Sequence, residues 1–505
     1  MLVSHKNSEF DLVVVGGGIN GTAIAADAAG RGLKVLLCEK EDLASGTSSA
    51  SSKLIHGGLR YLEQYAFKMV RHSLQERERL LNLAPHLVHP IRFILPLHQR
   101  MRSAWLIRAG LFLYDLLSGQ TRLPRSEVVE LENNIEINPL NLSLRHGYAF
   151  SDCTVNDARL VVLKALQAAE HQAEIVTHTK LVAAKHTPQE WILTLENQRT
   201  QTRQVITTRA LVNAAGPWVD KIIQGHLHVR SQYELKLVKG SHIVLPKLYE
   251  GDQGYFLQNK DRRVIFVIPY HQQFTMVGTT DVPFHGSLEN IHISEEEVEY
   301  LIDSVNQYFH HSVKSSQIIS SWSGVRALVG SGSHTLSSVS REYKLELMHT
   351  PKMAPVLNVF GGKLTTHRYL AEEALSLLKP FFKEMGPSWT ADAILPGGDL
   401  QVSFETFCLK LQQEFPFLPP ELSSRYANYY GTRCYQFLKD KESLETMGEH
   451  FGHHLYEAEV EYLMMHEWAI TVQDILERRT KLGLVFSEGQ RHGLAEYLKK
   501  MNPHQ

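Results

Sequence analysis

The sequence predicts an α/β protein (α+β overall) in three parts: a parallel-sheet region, an antiparallel-sheet region and a helical C-terminal region. Three observations predict it. Within residues 11–39, two short apolar runs flank a glycine cluster and an alanine-rich helix, the pattern of a βαβ unit. Residues 231–286 read mainly as short strands. After "ILPGGD" near residue 395 the chain turns helical and rich in Leu, Tyr, Glu and His. At 505 residues it is too long for one simple core, so two or three domains are expected.

The first unit opens with "DLVVVG", residues 11–16, a run suited to a buried parallel strand. "GGGING" then places Gly16, Gly18 and Gly21 in the register GxGxxG. Gly16 permits a tight turn, Gly18 lets a pyrophosphate approach the backbone, and Gly21 allows close helix–strand packing. The helix that follows, with Asn20 in its first turn, offers free N–H groups and a positive dipole end to phosphate. "LKVLLCE" is the second strand, and Glu39 at its end is placed to accept hydrogen bonds from a ribose rather than to stand as a solvated acid. Strand, helix and acid in this order predict a Rossmann-type adenine dinucleotide site.

Residues 47–61, "TSSASSKLIHGGLRY", follow the second strand almost at once. An NAD enzyme usually continues there with further βα units. In flavoproteins of the amino-acid-oxidase type the same location passes beneath the pyrophosphate and reaches the isoalloxazine. FAD is therefore the expected cofactor. Thr47, Ser48 and Ser52 suit the pyrophosphate side, and Lys53, Leu54 and His56 approach the flavin.

Further on, residues 156–170 form an amphipathic helix, and "AEIVTHTKLVAAKH" with "EWILTLEN" a hairpin. Residues 210–223 are a buried strand whose Ala215-Gly216 turn lets backbone come close to a cofactor. Residues 318–329 are a strand leading into an arginine-bearing turn. "APVLNVFGGKLTTHRYLAEEALSLL" reads as strand, glycine turn and helix, with Gly362, Lys363, Leu364 and Thr365 at the turn.

Composition excludes several classes. The net charge of −2 gives no electrostatic case for nucleic acid. Neither the 27 histidines nor the four cysteines show metal-ligand or CxxC spacing, so no metal site is expected and the thiols read as reduced. "MLVSHKNSEF" lacks the apolar core of a signal peptide, which points to the cytoplasm. No segment has the ~20 apolar residues of a membrane span. "WLIRAGLFLYDLL", residues 105–117, comes nearest; beside Arg100, Arg102, Arg108 and Arg122 it reads as a buried helix first and a membrane-surface contact second.

Together these stretches, with "FSDCTVNDARLV", "KGSHIVLP", "VGTTDV", "SGVRAL", "FGGKLTTHR" and the terminal "EWAITVQDILERRTKLGL", closely resemble the FAD-dependent glycerol-3-phosphate dehydrogenases of bacterial aerobic respiration over nearly the whole chain. The resemblance implies oxidation of sn-glycerol 3-phosphate to dihydroxyacetone phosphate, with electrons passed to ubiquinone or menaquinone at the inner face of the cytoplasmic membrane. Attachment there is expected to be peripheral, through residues near 100–122. It also implies a discontinuous FAD-binding domain (1–90, 145–230, 340–390), a substrate domain (91–144, 231–339) and a C-terminal helical domain (391–505). The oligomeric state is left open, with a homodimer as one option. "SGVRAL" departs from the more usual SGVRPL, and "VGSGSHTLSSVSRE" lacks the acids often seen after it.

Under this resemblance Arg60, Arg326 and Lys363 are expected to grip the dianionic phosphate, with Tyr61 adding a hydrogen bond. A plain turn after Gly57-Gly58 is the competing reading of Arg60 and Tyr61. His56 is the first choice to accept the hydroxyl proton and His242, also expected to bind substrate, is its rival. Arg326 can polarise the substrate oxygen, and Lys363 can serve a flavin oxygen instead. The nearest alternative is a glycerol-3-phosphate oxidase that uses oxygen. A flavin-containing tRNA-modifying or binding module is a further one, opposed by the cationic residues.

Overall fold

The structure, a computed structural model, describes residues 8–97, 103–131, 139–141, 143–330 and 342–501. The predicted βαβ unit is present as strand Ser8–Val15, helix Ile19–Gly30 and strand Val35–Cys38. Ser8–Val15 is central: it pairs in parallel with Val35–Cys38 on one side and Arg203–Asn213 on the other. Among the described residues this sheet has eight strands, with the order Lys344–Thr350, Met353–Phe360, Arg203–Asn213, Ser8–Val15, Val35–Cys38, Glu174–Val176 across its main path. The hairpin Thr179–His186 and Trp191–Asn197 joins through Arg203–Asn213.

The parallel strands are apolar on both faces because both faces are covered. Helices Ile19–Gly30, Asp157–Glu170 and His367–Leu378 pack over this sheet, and their buried Ala25, Ala28, Ala165 and Ala374 permit close approach. Each fully buried Leu or Val here contributes roughly 1.5–3 kcal/mol by leaving water.

A second sheet has ten strands among the described residues. Its main path runs Val282–Pro283, Leu235–Pro246, Phe274–Gly278, Val264–Tyr270, Gly254–Gln258, Val88–Pro96, His146–Val155, Leu54–Ile55. Ser320–Val329 lies antiparallel along Leu235–Pro246. The expected all-antiparallel pattern is broken once, where Gly254–Gln258 meets Val88–Pro96 in parallel. Val88–Pro96 also crosses the expected boundary at residue 90. His146–Val155, expected with the nucleotide-binding part, pairs along Val88–Pro96 and so belongs to the second sheet. A strand's sequence does not say which sheet it joins, so pattern could not assign this one.

Helix Ala104–Ser118 corrects the expectation of a buried helix. Ile107, Leu111 and Tyr114 are buried, but Trp105, Phe112 and Leu116 on the opposite face are 73%, 65% and 63% exposed. Arg100 and Arg102 lie outside the described residues, as do residues 331–341 of the "VGSGSHTLSSVSRE" tract. No described helix is long and apolar enough to cross a membrane.

The C-terminal region contains helices Phe404–Glu414, Pro420–Tyr430, Glu457–His466 and Glu488–Met501 around Leu411, Tyr426, Tyr430 and Leu463. It also carries a small hairpin, His450–Gly452 with Leu455–Tyr456, that helical spacing did not reveal.

Candidate active site

A cleft of about 610 Å³ is lined by residues of both sheets. Its nucleotide-binding part is built by the first βαβ turn. Gly16 has φ +114 and a Cβ there would meet the Ala214 carbonyl at 2.6 Å, so only glycine fits. A Cβ on Gly21 would lie 1.9 Å from the Gly16 oxygen. Gly21 therefore sets the helix–strand approach and does not itself line the cleft. The carboxylate of Glu39 accepts the Gly17 N–H at 2.6 Å and the Glu41 N–H at 2.9 Å. Burial pushes its pKa up against these bonds, which favour the charged form.

The strap after the second strand lies where the sequence expected it. Ser48 Oγ accepts the Ile19 N–H at the helix start, and Thr47 Oγ1 donates to the Val325 carbonyl at 2.6 Å. Ser52 Oγ meets His242 Nε2 at 2.9 Å. Lys53 departs from its expected role. Its ammonium turns away from the cleft into a buried pair with Asp157 at 2.9 Å. The left-handed φ of +54 at Lys53 goes with this reversal. Leu54 lines the cleft from the two-residue strand Leu54–Ile55.

His56, Arg60, Tyr61, His242, Arg326 and Lys363 are brought together in the same cleft. Gly57 N–H reaches the Tyr114 hydroxyl at 2.9 Å, and Tyr114 donates to Asp152, which Arg77 holds at 2.9 Å. This buried trio fixes the turn that delivers Arg60 and Tyr61. Gly58 takes φ +79 there. Lys363 Nζ sits 3.8 Å above the Tyr61 ring. Arg326 donates to Thr279 Oγ1 and the Thr280 carbonyl at 3.1 Å and pairs with Asp281 at 3.4 Å. Its neighbour Gly240 leaves it room, since a Cβ there would lie 2.1 Å from Nη2.

His242 is 2% exposed and stacks on Trp322, with ring centroids 5.3 Å apart. Burial, then the charges of Lys53 and Arg326, push its pKa well below the usual imidazole range. It is thus neutral at pH 7. His56 also lines the cleft, and its backbone N–H is held by Thr365 Oγ1 at 3.2 Å. Burial pushes the thiol of Cys38, another lining residue, up to about 12, so it carries no thiolate chemistry at neutral pH.

Sequence reasoning missed Asp152, Asp157 and Arg263. The first two lie in "FSDCTVNDARLV", where only the helix was read. Arg263 lines the cleft from the residue before strand Val264–Tyr270 and carried no motif.

A family model described as FAD dependent oxidoreductase matches residues 11–368. The chain belongs to the FAD-dependent oxidoreductase family. In this FAD-dependent oxidoreductase a second model, described as the C-terminal domain of alpha-glycerophosphate oxidase, matches residues 388–504. A glycerol-3-phosphate dehydrogenase of Pseudomonas aeruginosa is 50% identical over 98% of this chain and 96% of its own. A D-erythritol 1-phosphate dehydrogenase of Brucella abortus is 46% identical over 97% of this chain and 98% of its own. An aerobic glycerol-3-phosphate dehydrogenase of Escherichia coli is 43% identical over 97% of both. Among solved structures, a glycerol-3-phosphate dehydrogenase from Bacillus halodurans complexed with FAD shares the fold, with a TM-score of 0.80 at 24% identity over 99% of this chain and 92% of that one.

The cleft of this FAD-dependent oxidoreductase fits that cofactor. Asn20 Nδ2 donates to the Gly361 carbonyl at 2.9 Å, while its Oδ1 is buried with no hydrogen-bond partner among the described residues. Gly362, at φ +108, keeps backbone close beside it, since a Cβ would lie 2.6 Å from Asn20 Nδ2. Gly16, Gly18, Asn20, Glu39, the Thr47–Ser52 strap, Ala215, Gly216 and Gly362 to Thr365 are the residues that would hold FAD.

Proposed function

We propose that the protein oxidises sn-glycerol 3-phosphate to dihydroxyacetone phosphate, with a membrane quinone, ubiquinone or menaquinone, as final acceptor. The observation that carries this reading is the grouping of Arg60, Arg326 and Lys363 with His56 in the cleft that also holds the GxGxxG turn. Bound FAD supplies the acceptor for the two electrons removed from carbon 2. Arg60 and Arg326 present planar forks to phosphate oxygens and Lys363 a point charge. Tyr61, under the Lys363 ammonium, keeps that charge beside the phosphate.

His56 takes the proton from the substrate hydroxyl. His242 is the weaker base, because its surroundings oppose the imidazolium. It instead orients the substrate, with Ser52 fixing its Nε2. Arg326 steadies negative charge on the substrate oxygen as the proton leaves.

Peripheral attachment to the inner face of the cytoplasmic membrane is supported by the exposed Trp105, Phe112 and Leu116 on one helix face. The oxidase alternative is favoured by one observation, the C-terminal match to an alpha-glycerophosphate oxidase domain.

Anaerobic addition of glycerol 3-phosphate to the purified holoenzyme tests the substrate. The flavin absorbance is expected to bleach, faster than with D-erythritol 1-phosphate. Reoxidation is then compared in oxygen and with a quinone analogue. Faster recovery in oxygen selects the oxidase reading, and no bleaching with glycerol 3-phosphate rejects both.

A further inference from the structure

Residues 40–53 form a strap along the cleft; Lys40, Ser45–Ser48 and Ala50–Ser52 line it. The strap has little regular structure of its own beyond the short turn Thr47–Ser49. Ala44 and Lys53 both adopt left-handed φ values, +61 and +54, which cost energy for side-chain-bearing residues. Contacts to residues beyond the strap hold it.

They centre on two buried carboxylates, one near each end: Asp42 within the strap and Asp157 outside it. Asp42, 1% exposed, is gripped by Arg479 through two hydrogen bonds of 2.7 Å and by Arg478 at 2.5 Å. Asp157, fully buried, accepts the Ser51 hydroxyl at 2.7 Å, the Ser51 N–H at 3.2 Å and the Lys53 ammonium. Lys481 stands 4.0 Å from the same carboxylate. Arg478, Arg479 and Lys481 all come from one short stretch of the C-terminal region, the terminal motif that the proposed chemistry leaves unused. That stretch is itself anchored: Arg479 donates to the Glu467 carbonyl, and Asp474 takes the Ile470 and Thr471 N–H groups at 2.8 Å. A buried carboxylate stripped of its cation is far costlier than an exposed one, so Asp42 depends on Arg478 and Arg479, while Asp157 keeps Lys53 as its close cation and has Lys481 as a second, more distant one.

We propose that the C-terminal region is a two-ended latch on the cofactor strap, with Arg478, Arg479 and Lys481 as positioning residues that hold residues 40–53 in the FAD-retaining conformation. The proposal rests on the FAD assignment. It also gives the C-terminal region a route to the substrate side, because Ser52 within the strap holds His242.

The test measures FAD dissociation constants by dilution of the holoenzyme, reading released FAD by its fluorescence. Asp42→Asn and Lys481→Met are compared with Glu459→Gln. Glu459 is fully buried and pairs with Arg425 inside the C-terminal region. Asp42→Asn and Lys481→Met are each expected to weaken FAD retention at least tenfold. Glu459→Gln is expected to lower the melting temperature while leaving the constant within twofold. Wild-type retention in either Asp42→Asn or Lys481→Met overturns the latch, as does an equal loss in Glu459→Gln. A wild-type protein without affinity for FAD overturns the cofactor reading and the latch with it.

Discussion

At His242, Ser52 and Trp322 fix the ring, and burial keeps it neutral. His56, tied by its backbone to Thr365, is the proposed proton acceptor. His56→Ala is expected to lower turnover by roughly 100-fold or more while substrate binding changes little, the range of a lost general base. Stopped-flow flavin reduction at the wild-type rate would sink that assignment. Arg326→Lys keeps the charge but loses the guanidinium, whose Nη2 donates to Thr279 Oγ1 and the Thr280 carbonyl while Nη1 meets Asp281. A rise of about tenfold or more in KM for glycerol 3-phosphate is expected, because a lysine cannot reproduce planar bidentate contact. Most residues that line the cleft were legible because glycine spacing, a histidine and clustered cations are chemical signals in themselves. Lys53 was not, because a cation in a motif does not show which way it points. Its destination, Asp157, lies 104 residues away.

The helix Ala104–Ser118 shows how an element can serve two masters. Tyr114 faces inward and supports the Gly57 turn through Asp152, while Trp105 and Phe112 face outward. Sequence periodicity revealed an apolar helix but not which apolar face is exposed, since both faces carry large side chains. Phe112→Glu is expected to reduce co-sedimentation with anionic lipid vesicles several-fold without altering anaerobic flavin bleaching. Unchanged vesicle binding would remove this helix from the membrane contact. Tyr114→Phe acts on the other face. It takes one hydroxyl from the buried Asp152 cluster and is expected to lower substrate affinity more than global stability, measured by KM beside a thermal melt.

For the whole molecule, three buried imidazoles set a pH response. His86 and His367 are held near pKa 3 by burial, and His242 is also well below its usual value of 6.5. Unfolding frees each to bind a proton below pH 6.5, so the unfolded state gains protons there and stability falls as the pH drops. Each contributes a slope of about 1.4 kcal/mol per pH unit between its unfolded and folded values. The melting temperature is expected to fall from pH 7 to pH 5, and His86→Gln is expected to reduce that slope in denaturant titrations. An identical slope would show that carboxylates dominate instead. The architecture was legible where local pattern decides it, in the βαβ unit and the strand–turn–helix around Gly362. It was hidden where distant segments meet, as at the parallel pair of Gly254–Gln258 with Val88–Pro96.

The order of strands in the first sheet bears on how the chain is made. Ser8–Val15 needs Arg203–Asn213 as a neighbour, which in turn needs Met353–Phe360. On the ribosome the earliest strand therefore waits for about 350 residues of synthesis before its sheet can be completed. The Arg478–Arg479 pair that grips Asp42 leaves the exit tunnel later still. Under the latch proposal cofactor capture is expected late in biogenesis, so a chain truncated before residue 478 is expected to bind FAD far more weakly, as read by flavin fluorescence.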